Sequence, residues 1–312
     1  MTIPSHIHAF AADQDAFIRE FTTYITNFKI NLKFEGDKVV LNIPGYRPIP
    51  WFKPYRRRRR LRKHPGTNFH EEAASAAISY FFDHMKVSNF YDVGAYYQGY
   101  FTRLALSYQA YPIDIYAFEM RSDYHAKLTT GIGAMEKDGR RVELLLAGLT
   151  DHHAGQTDMW YTRTLMFETE PEKSEYREPW WRRLKFALRG DHERSVLHHA
   201  RVEITSIDHF STARNVIPDL IKIDVDGYEA KVLKGGMSIF ARHHPVILLE
   251  LHRQKWLDRF CTTRREVLRP MFEIGYNALL LSSPWDRGCE IVPIGPDSSE
   301  IDRDETNLVV LY

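Results

Sequence analysis

The chain has 312 residues, 44% of them hydrophobic, which suffices for one large core or a core with a smaller appendage. The formal net charge of +1 excludes a strongly acidic or basic protein. The two cysteines, Cys261 and Cys289, exclude a disulfide framework and favour a reducing compartment. No apolar run is long enough to span a bilayer, and residues 1–15 lack a secretory signal pattern. We therefore expect a soluble, cytoplasmic protein.

Residues 1–50 predict a small α+β N-terminal extension, with a helix followed by a hairpin of two strands. Residues 51–69 then form a basic linker, in which the first 14 residues carry eight Lys or Arg and no acid. Like charges in a block repel, so a solvated linker is one interpretation. The other is that Arg56–Arg60 contact phosphate groups of a nucleic acid or an anionic surface.

Residues 90–119 predict a strand, a glycine turn, a helix and a second strand. The turn lies between Gly94 and Gly99, and the second strand ends at Glu119. The spacing of the two glycines does not match the dinucleotide-binding fingerprint. A short glycine turn followed by an acid one strand later suits a cofactor with a single ribose, such as S-adenosylmethionine. Backbone amides of the turn would then face the ligand, and Glu119 would accept from its ribose hydroxyls.

The remaining chain alternates helices and strands, as an α/β sheet requires. Further helices are predicted over residues 70–86, 99–111, 121–137, 227–240 and 262–274. Further strands are predicted over residues 142–147, 155–161, 201–205, 220–224, 245–250, 276–281 and 307–312. Seven strands form the main sheet of a domain at 70–312. Residues 163–200 break the pattern and predict an inserted lid or acceptor-binding segment, with a short amphipathic helix at 180–189.

Five segments together resemble the FkbM-type methyltransferase family. They are DVGA at 92–95, YAFE at 116–119, LIKIDVDGYEAKVLKGG at 220–236, PVILLELH at 245–252 and NLVVLY at 307–312. The resemblance implies an S-adenosylmethionine-dependent O-methyltransferase, a class often associated with sugar or natural-product modification. It also implies the Rossmann-like class I methyltransferase fold, an α/β sheet of seven strands with the last strand antiparallel.

The resemblance also implies roles for individual residues. It assigns the cofactor-binding positions Asp92, Gly94, Ala95, Gly99, Glu119, Ala147, Gly148, Leu149 and Asp224. Among them, Glu119 would hold the ribose, residues 147–149 would border the adenine, and Asp224 would face the methionine portion or the methyl centre. An alternative for Asp92 is purely structural, since an aspartate can cap a turn by accepting backbone amides.

Methyl transfer to a hydroxyl needs a group that removes the proton. The candidates are Asp224, Asp226, Glu250 and His252, at the ends of two predicted strands, and of these Asp224, Glu250 and His252 are the predicted catalytic residues. Alternation along the strand predicts that Glu250 and His252 lie on the same side. The simpler alternative is that His252 only makes a hydrogen bond at the rim.

Two further features have structural alternatives. Asp224 and Asp226 could hold a divalent metal, as paired carboxylates do, although the sequence favours a site without one. Lys222 lies inside a predicted buried strand, so it needs a partner, for which a carboxylate on a neighbouring strand is expected.

The sequence thus predicts an S-adenosylmethionine-dependent methyltransferase that acts on an oxygen of a saccharide or a small hydroxylated metabolite. One alternative is a nucleic-acid methyltransferase that uses the basic run at 53–63 to contact phosphates. The other is a methyltransferase-like module that binds a partner without catalysis.

Overall fold

A computed structural model describes seven stretches of the chain, which are residues 13–35, 38–51, 72–133, 141–162, 166–176, 196–282 and 290–312. Two predicted segments, the arginine run at 56–60 and the helix at 180–189, lie outside the described residues.

The described residues form ten α-helices and fifteen strands. The helices are α1 Gln14–Asn27, α2 Glu72–His84, α3 Tyr100–Ser107, α4 Ser122–Gly133, α5 Lys173–Tyr176, α6 Ile207–Arg214, α7 Glu229–Lys234, α8 Met237–His243, α9 Gln254–Leu257 and α10 Arg264–Glu273. The strands are β1 Asn31–Glu35, β2 Lys38–Asn42, β3 Ile49–Trp51, β4 Asn89–Val93, β5 Asp114–Phe118, β6 Val142–Leu145, β7 Ala147–Leu149, β8 Gly155–Tyr161, β9 Met166–Phe167, β10 His198–Thr205, β11 Leu220–Ile223, β12 Val246–Leu251, β13 Ala278–Leu281, β14 Ile291–Ile294 and β15 Asn307–Leu311. Two short 3₁₀ turns cover Asp258–Phe260 and Ser299–Asp302.

The main sheet has the strand order β14-β13-β15-β12-β11-β4-β5-β6. Strands β12, β11, β4, β5 and β6 run parallel, whereas β15 is antiparallel to both of its neighbours. The α/β class and the antiparallel last strand agree with the prediction. The strand order reverses at β4, and such a switch point is where open α/β sheets bind ligands.

The main sheet contains eight strands, not the predicted seven. The additional strand is β14, which pairs with β13 at the edge of the sheet and places Pro293 opposite Leu279. Proline argues against a central strand because it cannot donate to the ladder, but an edge strand tolerates it. The sequence predicts no strand between those at 276–281 and 307–312.

A second sheet, with the order β7-β10-β8-β9, contains the predicted strands at 155–161 and 201–205. Strand β10 pairs in parallel with β7 and antiparallel with β8. This sheet follows β6 directly and so begins at the same end of the main sheet as the predicted cofactor turn.

The predicted helix through residue 240 is interrupted and forms α7 and α8. The break falls at Gly235 and Gly236, two weak helix formers in succession. A Cβ at Gly235 would lie 1.9 Å from the carbonyl oxygen of Thr150, so the backbones approach too closely there for any side chain. The predicted helix at 99–111 is also shorter, because Tyr108 is already extended.

The main sheet is covered on both faces. Helices α1 to α4 contribute to the hydrophobic core on one face, and α6 to α10 to the core on the other. Neighbouring residues of a strand alternate between them, so that Phe90 enters the first core and Tyr91 the second. Within the described residues, no helix combines the length and hydrophobicity that crossing a membrane demands.

The N-terminal segment packs against the first of these cores. The side chain of Asp13 accepts from the amide of Ala16 and caps α1, whose buried face includes Phe21. The ring centroid of Phe21 lies 5.1 Å from that of Tyr80 and 5.9 Å from that of Phe81, both on α2. Helix α1 and the sheet β1-β2-β3 therefore share apolar burial with the main domain.

The packing of Phe21 predicts that α1 unfolds together with the main domain. Phe21→Ala should lower the free energy of unfolding by about 3–5 kcal/mol, because it leaves a cavity between α1 and α2. The exposed control Thr26→Ala should change it by less than about 0.5 kcal/mol. Chemical denaturation measures both values, and an unchanged midpoint for Phe21→Ala would mean that residues 1–50 fold apart from the rest.

Candidate active site

Four adjacent parallel strands reach the same edge of the main sheet in register, where β5, β4 and β11 end and β12 continues for two more residues. The paired residues at this edge, in order across β5, β4, β11 and β12, are Phe118, Val93, Ile223 and Leu249. The residues that follow them are Glu119, Gly94, Asp224 and Glu250. The register of the strands therefore brings together three of the predicted acidic residues and the predicted glycine turn.

The turn after β4 is packed tightly against the end of β11. Gly94 has a φ of +80°, and a Cβ there would lie 1.9 Å from the carbonyl oxygen of Asp224. The amides of Gly94 and Ala95 both donate to the carbonyl of Phe118, at 3.0 Å. The expectation that turn amides face a ligand is thus not met by these two, because β5 already provides an acceptor for them.

Asp92 and Gly99 fix the start of helix α3, which follows this turn. Oδ2 of Asp92 accepts from the amide and the hydroxyl of Thr102, at 2.9 and 2.6 Å, so the carboxylate caps α3. Oδ1 is buried and has no hydrogen bond within the described residues, and burial raises the pKa of Asp92. Gly99 has a φ of +53°, and a Cβ there would lie 2.2 Å from Cδ1 of Leu128. The structural alternative for Asp92 is therefore realised in this geometry.

Glu119 is a buried carboxylate beside the turn, with 7% of its surface exposed. Its Oε2 accepts from the amide of Tyr96 at 2.9 Å and its Oε1 from the amide of Arg121 at 2.8 Å. Burial raises the pKa of Glu119 to about 7, although the two donating amides favour the charged form. A carboxylate has about four acceptor positions, so two amides leave it capacity for further donors.

Ala147–Leu149 forms strand β7, a correction to the predicted strand at 142–147 followed by a loop. The main-sheet strand β6 already ends at Leu145, and β7 leaves the main sheet to pair with β10. A Cβ at Gly148 would lie 3.6 Å from Cβ of Met120, the residue after Glu119. The segment predicted to border the adenine thus lies beside the end of β5.

Lys222 and Asp224 form an ion pair with 2.9 Å between Nζ and Oδ2. Lys222 is 3% exposed, and its Nζ lies 4.9 Å from the ring centroid of Phe101. One partner is therefore the residue just after the end of β11. The carboxylate predicted on a neighbouring strand is also present, since Asp92 on β4 lies opposite Lys222 in the sheet and the charge of Lys222 counteracts the effect of burial on its pKa. Burial opposes the ionisation of Asp224, but the charges of Lys222 and His252 outweigh it and hold the pKa of Asp224 below its ordinary value.

His252 is the centre of a cluster of carboxylates. Its Nδ1 donates to Oε1 of Glu229 at 2.6 Å. Its Nε2 lies 3.5 Å from Oδ1 of Asp226, 3.8 Å from Oδ1 of Asp224 and 3.8 Å from Oε1 of Glu250. Glu250 and His252 thus lie on the same side of the chain, which confirms the prediction from alternation. The three predicted catalytic residues are in contact.

The cluster shifts the pKa values of its members. Burial disfavours the charged imidazole, but the bond to Glu229 and the nearby acids outweigh it and raise the pKa of His252 to about 10. Desolvation by the surrounding groups and the charge of Asp224 raise the pKa of Asp226 to about 6. The acids around His252 therefore favour its protonated form.

Sequence reasoning missed Glu229, which is fully buried and orients His252. The tight turn before it makes this possible, since Asp226 has a φ of +51° and Gly227 a φ of +104°. The amide of Gly227 donates to Oε1 of Glu229 at 3.0 Å. An acidic residue in the first turn of a helix is common because it interacts favourably with the helix dipole. The sequence therefore did not indicate that Glu229 belongs to the site.

Arg264, at the start of α10, was also missed. Its guanidinium is buried and donates to the carbonyls of Leu251 and His252, at 3.1 and 2.7 Å, and to that of Glu305 at 2.7 Å. It also donates to the side chain of Asn307 on β15. These bonds fix the chain where it leaves β12, and so fix the position of His252.

The contact between Gly94 and Asp224 predicts a sharp difference between two glycine substitutions. Gly94→Ala should lower the free energy of unfolding by about 2 kcal/mol or more, because of the positive φ and the clash with a carbonyl. Gly133→Ala, in open space at the end of α4, should be neutral or stabilising by up to about 1 kcal/mol. Equal unfolding midpoints in denaturant for the two variants would contradict the described turn.

A family model described as Methyltransferase FkbM domain matches residues 92–278. None of the curated proteins matches the chain.

Three solved structures are similar at low identity. Methyltransferase FkbM from Methylobacillus flagellatus KT has 14% identity and a TM-score of 0.40, over 72% of this chain and 43% of that one. Precorrin-6y C5,15-methyltransferase from Geobacter metallireducens GS-15 has 10% identity and a TM-score of 0.36, over 79% and 92%. Aeropyrum pernix fibrillarin, in complex with natively bound S-adenosyl-L-methionine, has 9% identity and a TM-score of 0.33, over 91% and 100%.

The chain therefore spans less than half the length of the Methylobacillus protein. The family model, in contrast, covers more than half of this chain and includes the β4 turn, Glu119, Asp224 and the acidic cluster up to His252. The chain belongs to the FkbM methyltransferase family.

Proposed function

We propose that the chain transfers a methyl group from S-adenosylmethionine to a hydroxyl oxygen of a saccharide or another small hydroxylated metabolite. One observation carries the proposal. A buried carboxylate, Glu119, stands on one side of the β4 turn, and the cluster of Asp224, Glu250 and His252 stands on the other side. The saccharide class rests on family membership alone.

The residues at the end of β5 fit a ribose. Glu119 is ionisable, buried and held by two backbone amides, so its position is set before a ligand arrives. Its remaining acceptor positions suit a pair of adjacent hydroxyl groups. The turn beside Glu119 takes its conformation from four of the predicted cofactor-binding residues, which are Asp92, Gly94, Ala95 and Gly99.

The adenine would lie against Ala147, Gly148 and Leu149, next to Met120. What supports this position is the contact with the end of β5, since a Cβ at Gly148 would lie 3.6 Å from Cβ of Met120.

The acidic cluster would act on the acceptor. A bound S-adenosylmethionine supplies an electrophilic methyl carbon on a positively charged sulfur. The carboxylate oxygens of Asp224 and Glu250 would orient the acceptor hydroxyl and take up its proton. His252, fixed through Nδ1 by Glu229, keeps these carboxylates at their present separation.

Methyl transfer can be tested with S-adenosylmethionine that carries a radiolabelled methyl group. We expect label to enter mono- or oligosaccharides or small hydroxylated metabolites, and Asp224→Asn to reduce the incorporation strongly. Label in an oligonucleotide instead would support the nucleic-acid alternative and contradict the proposed acceptor. If the chain neither binds the methyl donor nor incorporates label into any acceptor, the proposed enzyme activity is contradicted.

The pKa of Glu119 predicts how binding depends on pH. Its charged form accepts hydroxyl protons more strongly, so affinity for the ribose should rise several-fold from about pH 6 to about pH 8. A suitable probe is 5′-methylthioadenosine, which keeps the adenine and ribose but lacks an amino acid that titrates. Calorimetry should give weaker binding and a flat pH profile for Glu119→Gln.

A matched control is Glu143→Gln, which removes an acid on β6 that pairs with Arg214. It should keep the affinity and the pH profile of the wild type. An identical pH dependence in the wild type and in Glu119→Gln would exclude Glu119 as the ribose acceptor.

A further inference from the structure

The imidazole of His252 faces the oxygens of three carboxylates. The residue is 6% exposed, and its Nδ1 is committed to Glu229. Its Nε2 makes no hydrogen bond within the described residues, yet it faces oxygens of Asp224, Asp226 and Glu250 at 3.5–3.8 Å.

These separations are too long for hydrogen bonds, which have about 2.7–3.2 Å between nitrogen and oxygen. They suit ligands around a common ion instead. Metal–ligand bonds of about 2.0–2.2 Å put two ligand atoms about 3 Å apart at right angles and about 4 Å apart across the metal. The ligand atoms of Asp224, Asp226 and His252 lie within 4.8 Å of one another, so small adjustments complete such a set.

The charges point to the same conclusion. Oxygens of Asp224 and Glu250 each lie 3.8 Å from Nε2 of His252, and one of Asp226 lies 3.5 Å from it, so three carboxylates converge on one nitrogen. Lys222 is paired with Asp224, but four carboxylates surround the imidazole of His252, those of Asp224, Asp226, Glu229 and Glu250. The cluster therefore has an excess of negative charge at its centre.

We propose that Asp224, Asp226 and His252 bind a divalent cation of the Mg²⁺ and Mn²⁺ class, with Glu250 beside it. Carboxylate oxygens are the ligands these ions prefer, and one imidazole nitrogen favours Mn²⁺ over Mg²⁺. The distances thus favour a metal where the sequence alone did not.

Glu229 supports the same assignment as a positioning residue. Histidines that bind metals usually donate their other ring nitrogen to a carboxylate or a carbonyl, which fixes the tautomer. Glu229 is fully buried and accepts from Nδ1 of His252, so Nε2 is directed at the proposed ion and gives up its proton when the metal binds. The turn at Asp226 and Gly227 brings the third ligand to the same point.

The site can be tested without methyl donor or acceptor, so its failure is distinguishable from failure of methyl transfer. Mn²⁺ is titrated into the full chain, and the free ion is followed by electron paramagnetic resonance. We expect one bound Mn²⁺ per chain, with binding at least about tenfold weaker in Asp226→Asn. Asp226 lies on the surface, so this variant should fold as the wild type does, which circular dichroism checks.

Asp158→Asn is the matched control, because Asp158 also lies beside an imidazole, with 3.0 Å between its Oδ1 and Nε2 of His199. It should bind Mn²⁺ as the wild type does. Pulsed electron paramagnetic resonance should detect the coupling of a nitrogen ligand to Mn²⁺ in the wild type. This coupling should be lost in His252→Gln. The proposal is overturned if the wild type binds no Mn²⁺, if Asp226→Asn binds it equally well, or if the nitrogen signal persists without His252.

Discussion

The parallel register of β5, β4, β11 and β12 is the constraint on which the site depends. Because the four strands are in register there, Glu119, Gly94, Asp224 and Glu250 lie at the same edge of the sheet. Glu119 and Asp224 thereby stand on opposite sides of the turn that starts at Gly94. That turn can pack so closely because Gly94 has no side chain to meet the carbonyl of Asp224.

The second constraint is electrostatic. Buried carboxylates and cations are costly to remove from water, and in this chain they are paired in sequence along the sheet edge. Lys222 neutralises Asp224, Glu229 holds His252, and Arg264 satisfies the carbonyls at the end of β12. Asp224 and His252 are therefore held in position by these partners at the edge of the main sheet.

The sequence predicted the features of the site that depend on residues near one another in the chain. The α/β class, the acid at the end of β5 and the shared side of Glu250 and His252 follow from periodicity and from motifs of a few residues. The spacing of those motifs also carried the resemblance to the family. Each of these features is determined by residues close together in the sequence.

The rest depended on contacts between distant segments. Glu229 looks like an ordinary residue of a first helical turn until the fold brings it to His252, 23 residues away. Pro293 argued against a strand, and only its place at the sheet edge permits β14. Gly235 breaks a predicted helix because the backbone of Thr150 approaches it. The strand predicted at 142–147 ends at Leu145, and Ala147 belongs to a second sheet, because strand pairing is not a local property.

The central claim is that one edge of the main sheet forms a single site with a cofactor side and an acceptor side. The most direct measurement is a crystal structure of the full chain with S-adenosylhomocysteine. The account predicts ribose hydroxyls on Glu119 and the sulfur directed across the β4 turn toward Asp224. A nucleoside bound away from Glu119, or a sulfur directed away from the acidic cluster, would contradict it.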